Sequence, residues 1–375
     1  MDEEKQPFNR YTQPVDFEKL TSIVSAEFEL EECLIEKMVP TYYLKQPQET
    51  KQAFLKLLKN LETMNLIALL RTKNGRIVLK IVPKPPTKPS NIMINWILFF
   101  ATIGTTFLTG YMLSGGLTNP LVGGATFTIA IMAVLGTHEM GHKVTANKRG
   151  IEATPPYFIP GPPPIGGFLL IGTFGAVIMQ KSLPPNKDAL FDVGGSGPIV
   201  GFIVAVIVTI VGLPFSGYDW ILKGVSTLPV PLLFQLVAPF LLPPFEMCPP
   251  CPGPDYVSVI MLHPVALAGW VGMIVTMLNL LPAAMLDGGH IARSLLGEKT
   301  RVVLTFLSIV SLIFVSPPMA IFVLFLSMYK HPGPLDDVSS LSTSRKLLAI
   351  VVVAVFVLCS FLQYLVFILL GLLGG

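Results

Sequence analysis

Residues 126–144 read TFTIAIMAVLGTHEMGHKV. Twelve uncharged, mostly apolar residues lead into His138-Glu139-Met140-Gly141-His142, and Lys143 follows. A run of this length is close to the ~20 residues that a membrane-spanning helix needs. Helical positions i and i+4 share a face, so His138 and His142 can bind one Zn²⁺ with Glu139 in reach of its water, the H-E-x-x-H pattern. The plain alternative is a histidine pair that packs or hydrogen-bonds between helices. Ionisable groups inside a membrane are costly and usually functional, which favours the metal.

The rest of the chain fits a membrane setting. Of 375 residues, 52% are hydrophobic and only 13% charged, against about 25% charged in soluble domains; mean hydropathy is +0.66. Disordered, collagen-like and ordinary soluble chains are excluded. Residues 1–90 hold 26 of the 49 charges. The sequence therefore predicts two domains: a small soluble α+β domain with its linker at 1–90 and a membrane-embedded domain at 91–375. A helix is expected over Glu49–Met64, and the Asn74-Gly75 step between two apolar runs predicts a hairpin. A net charge of +3 gives no reason to expect nucleic acid binding. The N-terminus lacks the basic and apolar regions of a signal peptide and the look of a transit peptide.

The expected fold is polytopic α-helical, with about six transmembrane helices and re-entrant segments. The runs are Ile92–Leu113, Thr126–Val144, Pro198–Phe215, Leu262–Leu286, Val302–Met328 and Lys346–Leu373. Pro317-Pro318 makes the fifth either one kinked span or a re-entrant pair. Leu228–Phe245 carries five prolines and reads as re-entrant or interfacial. The Lys/Arg bias of the loops places residues 1–90 in the cytoplasm, and the sequence suggests a multi-pass protein of a prokaryotic cytoplasmic membrane.

A catalytic zinc usually has three protein ligands and a water. Asp287, closing the fourth run, lies near the same inner end as His138 and His142 and can share their depth. His290 is a weaker candidate, His263 and His331 read as structural, and Asp192 is open between inner surface and site. Pro282 should kink the fourth helix one turn before Asp287. Asn279 then has two readings: it binds a substrate carbonyl or oxyanion, or it makes an interhelical hydrogen bond.

These motifs together, His138–His142 and Asn279-x-x-Pro282-x-x-x-Leu286-Asp287-Gly288, resemble the site-2 protease family of intramembrane metalloproteases. Gly172-Thr173-Phe174-Gly175-Ala176, Ser196-Gly197-Pro198 and Ala268-Gly269-Trp270 are similar to the branch of the plant and cyanobacterial yellow-green gravitropism-deficient proteases. The resemblance implies His138, His142 and Asp287 as ligands of one Zn²⁺ per chain, Glu139 as general base, and transmembrane proteins of the lipid bilayer as substrates.

The leading expectation is thus an intramembrane zinc endopeptidase of regulated intramembrane proteolysis. The alternative is a metal transporter or sensor using the same three ligands without hydrolysis. Gly166–Val177 is too short to span as a helix. It reads either as a hairpin whose edge, with Gly172 and Gly175, pairs with extended substrate, or as a structural re-entrant loop. Cys248 and Cys251 read as a local disulfide or two free thiols, and Gly197-x-x-x-Gly201 as a helix-packing motif within the chain.

Overall fold

Asp16 opens the first element by capping it. Its carboxylate accepts from the N–H groups of Glu18 and Lys19, and α1 (Phe17–Ser25) follows, as expected for an N-cap aspartate. Then come β1 (Leu30–Glu36), β2 (Val39–Leu44), α2 (Lys51–Glu62), β3 (Leu66–Lys73) and β4 (Arg76–Pro83). The strands form one antiparallel sheet in the order β1-β2-β4-β3. Between β3 and β4, Asn74 and Gly75 both have positive φ (51° and 79°), the conformation a two-residue hairpin turn requires. Leu20, Val24, Phe54, Leu57 and Leu61 recur at helical spacing and are buried against Tyr42, Leu70, Leu79 and Ile81 of the sheet.

The computed structural model describes residues 16–87, 89–165, 170–225, 228–245, 251–315, 317–328 and 331–361. After the sheet run α3 (Ile92–Met112), α4 (Pro120–Lys148), β5 (Tyr157–Pro160), β6 (Thr173–Val177) and α5 (Lys187–Gly212). Next come β7 (Gly217–Leu222), α6 (Leu232–Leu241), β8 (Tyr256–Met261), α7 (Pro264–Leu280), α8 (Asp287–Val315), α9 (Pro317–Ser327) and α10 (Thr343–Cys359). Two antiparallel strand pairs, β5-β6 and β7-β8, sit among the helices. The central packing joins α4, α5 and α7 through Val134, Phe191, Ala205, Ala266, Met273 and Met277.

Three stretches are helical, long and apolar enough to cross a membrane among the described residues: Ile92–Met112, Pro120–Lys148 and Lys187–Phe215. The expectation of six spans is met only to that extent. Residues 362–375, with the end of the sixth run, lie outside the described residues. The expected Leu228–Phe245 segment contains only the ten-residue α6, too short to cross alone.

Three boundaries differ from expectation for physical reasons. α5 begins at Lys187, eleven residues before Pro198, and carries that proline in its interior; Asp192 is therefore helical. In apolar surroundings, helices tolerate Gly and Pro that would break them in water. α7 stops at Leu280 instead of running to Leu286. Leu281 is extended (ψ 131°), because a residue before proline is driven out of the helical region. Asp287 consequently does not close that helix; it starts the next one. The first helix of the fifth run reaches back to Asp287 with a break at Gly297, whose φ of 83° favours glycine; the run itself divides at the expected prolines, α9 starting at Pro317.

The N-terminal sheet is fastened to the helices by the segment between α9 and α10. Leu335 and Asp336 donate backbone N–H groups to the carbonyls of Pro184 (2.8 Å) and Pro185 (2.9 Å). The Leu335 carbonyl accepts from Leu70 N–H of β3 at 2.9 Å and from the Arg71 guanidinium at 2.6 Å. Leu335 itself is buried in the sheet's core. Lys51 of α2 reaches Asp188 (3.2 Å) and Ser342 (3.1 Å). Leu335→Ala removes a buried isobutyl group and should weaken this docking by about 2–5 kcal/mol. Hydrogen exchange of the Leu70 amide should speed up accordingly, while the β1-β2 pairing keeps its protection.

Candidate metal centre

His138, Glu139 and His142 are all buried, on the last two turns but one of α4. Lys148 ends the helix six residues after His142, about 9 Å at 1.5 Å per residue. Asp287 is the first residue of α8, where the helix dipole favours a carboxylate. The turn before it is pinned from α8 itself: Thr305 Oγ1 accepts from Ala284 N–H (3.0 Å) and Arg301 donates to the Ala284 carbonyl (3.0 Å).

One ligand atom from each of His138, His142 and Asp287 falls in a single cluster. The two Nε2 atoms are 3.2 Å apart. Asp287 Oδ2 is 3.3 Å from that of His138 and 3.2 Å from that of His142. Four ligands around zinc at about 2.0–2.1 Å stand about 3.3–3.4 Å from one another, so the triangle matches one face of that tetrahedron.

The protons agree with this geometry. His142 Nδ1 lies 2.7 Å from the Val193 carbonyl. A carbonyl only accepts, so Nδ1 carries the proton and Nε2 turns its lone pair inward. This is the outer hydrogen bond by which ligating histidines are oriented. Asn279 Nδ2, on α7, is 3.3 Å from His138 Nε2, again placing a lone pair on that nitrogen. Two imidazole lone pairs and a carboxylate oxygen therefore converge with no donor among them, an arrangement that a cation satisfies.

Glu139 faces a different partner. The backbone of Ile178, one residue past β6, lies beside its carboxyl. β6 is held to α3 through Gly172 (φ 73°): the Thr105 hydroxyl donates to the Gly172 carbonyl at 2.6 Å, and a Cβ on Gly172 would collide with Thr105 and Thr109. Gly175 (φ 98°) has open space around it and sits where the β5-β6 register slips by one residue. Of the expected hairpin, Gly166–Leu169 lie outside the described residues, as does Cys248 of the cysteine pair.

The fourth wall is a glycine face of α5. A side chain at Gly197 would run into the His142 ring, one at Gly201 would come within 3.0 Å of His138 Nδ1, and one at Gly194 within 3.0 Å of the Asp287 carbonyl. The Gly197-x-x-x-Gly201 pattern is thus an internal contact, and what it contacts is the pair of imidazoles. The sequence carried the signal as a glycine period of three and four residues, but not its target.

The remaining candidates lie elsewhere. Asp192 pairs with Arg149 and with Arg345 (2.9 Å). His263 caps α7. His290, one turn after Asp287, has its Nδ1 2.8 Å from His331 Nε2. Gly333 N–H donates to His331 Nδ1 at 3.0 Å, so His331 carries its proton on Nε2 and gives it to His290. Burial and the neighbouring His290 push the pKa of His331 down to about 3, which keeps it neutral. This pair, formed across 41 residues, was not legible in the sequence.

Comparison with known proteins bears on this arrangement. Residues 126–316, half of the chain, match the model of Peptidase family M50. The chain belongs to that family. Similar proteins include "Probable zinc metalloprotease EGY2, chloroplastic" of Arabidopsis thaliana, 33% identical over 178 residues, which are 47% of this chain and 29% of the relative. "Probable zinc metalloprotease EGY1, chloroplastic" of Oryza sativa subsp. japonica is 28% identical over 237 residues, 60% of this chain and 38% of the relative. "Probable zinc metallopeptidase EGY3, chloroplastic" of Arabidopsis thaliana is 29% identical over 197 residues, 50% and 31%. The chain spans roughly a third of the length of these relatives. No solved structure matches it. The M50 match contains α4 from Thr126 onward, the α5 glycine face and Asp287.

Because Gly197 touches the His142 ring, Gly197→Ala should lower bound zinc at least tenfold at limiting metal, read by elemental analysis. Gly195, whose Cβ would meet nothing closer than 3.9 Å, provides the control: Gly195→Ala should keep its zinc.

Proposed function

We propose that this M50 member is an intramembrane zinc endopeptidase that hydrolyses peptide bonds in or near transmembrane segments of membrane proteins. One observation carries the reading: the near-equilateral triangle of His138 Nε2, His142 Nε2 and Asp287 Oδ2 (3.2, 3.2 and 3.3 Å) beside the Glu139 carboxyl. His138, His142 and Asp287 would hold one Zn²⁺ per chain. Bound there, zinc supplies Lewis-acid polarisation of the scissile carbonyl and a lowered water pKa.

The chain's own groups do the rest. Glu139 takes the proton of the attacking water and delivers it to the leaving amine. Asn279 loses the His138 nitrogen as its acceptor once that lone pair is engaged. Its amide is then free to donate to the developing oxyanion. The β6 edge gives an unwound substrate backbone a strand to pair with, and it leads straight to Ile178 and Glu139.

The lipid setting is supported by the three long apolar helices. The Lys/Arg bias supports a cytoplasmic place for the N-terminal sheet, with residues 1–90 and 91–375 as the two units. The relatives are chloroplastic by name, so they lend no support to a prokaryotic cytoplasmic membrane; a bilayer is common to both. The peptidase family match speaks against metal transport, which has no use for a general base.

Two measurements test the reading in purified full-length protein. Glu139→Gln should keep about one zinc per chain and lose cleavage of a model transmembrane substrate by about 10²–10⁴-fold; equal cleavage by variant and wild type refutes the base. Gly175→Pro should impair cleavage while zinc stays bound, and parallel loss of both would remove the strand-pairing role.

A further inference from the structure

A cavity of about 580 Å³ opens beside the metal centre, where the N-terminal sheet meets the helices. Ile178 and Gln180 line it on the β6 side, Leu190 and His290 on the helix side, and Ile67 and Leu335 on the side of the sheet. Its walls thus come from four parts of the chain far apart in sequence. Two of them are tied directly to the centre: Ile178 by its backbone contact with Glu139, His290 by lying one turn from Asp287. The His290–His331 hydrogen bond and the Leu335 docking bonds hold the other walls in place.

The cavity continues the line of β6. The strand ends at Val177, Ile178 lies at Glu139, and residues 180–184 line the cavity. A polypeptide paired alongside advances about 3.3 Å per residue. If its scissile bond is level with Glu139, its next few residues are level with Gln180 to Pro184. Ile67, Leu183, Leu190 and Leu335 make most of the interior apolar, and of the two lysines that also line it Lys84 is paired with Glu152, which suits an aliphatic side chain.

We propose that this cavity is a substrate subsite. It receives an aliphatic side chain of the extended substrate about two to five residues from the scissile bond, on the flank that leaves the helices toward the N-terminal sheet. The inference rests on the endopeptidase reading. It makes the N-terminal sheet, through Ile67 and the docked Leu335, part of the specificity surface rather than a detached module.

The test uses the full-length Glu139→Gln protein, loaded with zinc, so that capture needs no hydrolysis. A benzophenone photo-crosslinker is placed at Gln180, at Val177 on β6, or at the exposed Asn60 of α2 as control. The partner is a transmembrane substrate with leucine at each flank position in turn. The expected result is capture at Gln180 centred two to five residues from the cut, lost when that leucine becomes aspartate, with none at Asn60. Capture at Val177 without capture at Gln180 overturns the subsite and leaves the protease reading standing. Capture at Gln180 that is indifferent to position, or matched at Asn60, overturns it equally. In the active protein, Ile67→Trp fills the cavity. It should raise KM at least tenfold for the leucine substrate, and an alanine substrate should restore it to within threefold, with zinc content unchanged. Equal loss on both substrates rejects the subsite. Failure of the endopeptidase reading shows separately, as a wild-type protein that binds zinc and cleaves neither substrate.

Discussion

The metal centre depends on how closely α5 approaches α4. Two imidazole rings project from one face of α4, and α5 crosses that face with glycine at 194, 197 and 201. Each missing side chain leaves room for something specific: the Asp287 turn, the His142 ring and the His138 ring. The same approach puts the Val193 carbonyl 2.7 Å from His142 Nδ1 and so decides which nitrogen of that ring faces inward. A helix with ordinary side chains there would hold α5 off by several ångströms, and the tautomer, the ring orientation and the position of Asp287 would all be lost together. The constraint is steric before it is electrostatic.

That constraint also explains which features could be seen in advance. The i, i+4 histidines announce themselves because helix geometry alone sets their relation. Asp287 was found from depth, since two segments ending at the same side bring their polar ends together. Its local setting was misjudged: Pro282 ends α7 outright, and Asp287 begins α8. The start of α5 was misplaced for a related cause. Gly194, Gly195, Gly197 and Pro198 look like breakers by the rules of water, yet in an apolar bundle the unpaired backbone has no solvent to turn to and the helix continues. The His290–His331 bond and the Leu335 docking depend on segments more than forty residues apart, and no local pattern encodes them.

The centre is also fastened from the side that carries no metal ligand. Leu335 and Asp336 bridge β3 to the start of α5: the Leu335 carbonyl accepts from Leu70 N–H, and the N–H groups of Leu335 and Asp336 donate to the carbonyls of Pro184 and Pro185. Arg293, two turns after Asp287, clamps Asp337 with two bonds of 3.0 and 2.6 Å. A charge-paired, two-pronged contact of this kind is stiff. It links α8, which bears a metal-centre carboxylate, to the segment that seats the N-terminal sheet. Motion of that sheet would thus be felt along α8 and not only at the surface.

A protease working on helical substrates faces a particular difficulty. Within an apolar medium every backbone group must stay hydrogen-bonded, so a substrate helix cannot open unless something replaces its internal bonds. The position of the centre answers half of this: His142 lies only about 9 Å from the end of α4, close enough to the helix ends for water to reach it. β6 answers the other half. It is a strand set among helices, anchored to α3 by the Thr105 bond to Gly172, and one of its two edges is unused in the β5-β6 pair. On the proposed function, a substrate paired there would trade helical bonds for ladder bonds without passing through an unsatisfied state, and the strand's own direction would carry its backbone past Glu139 and on toward the N-terminal sheet. On this reading, unwinding and positioning are one event.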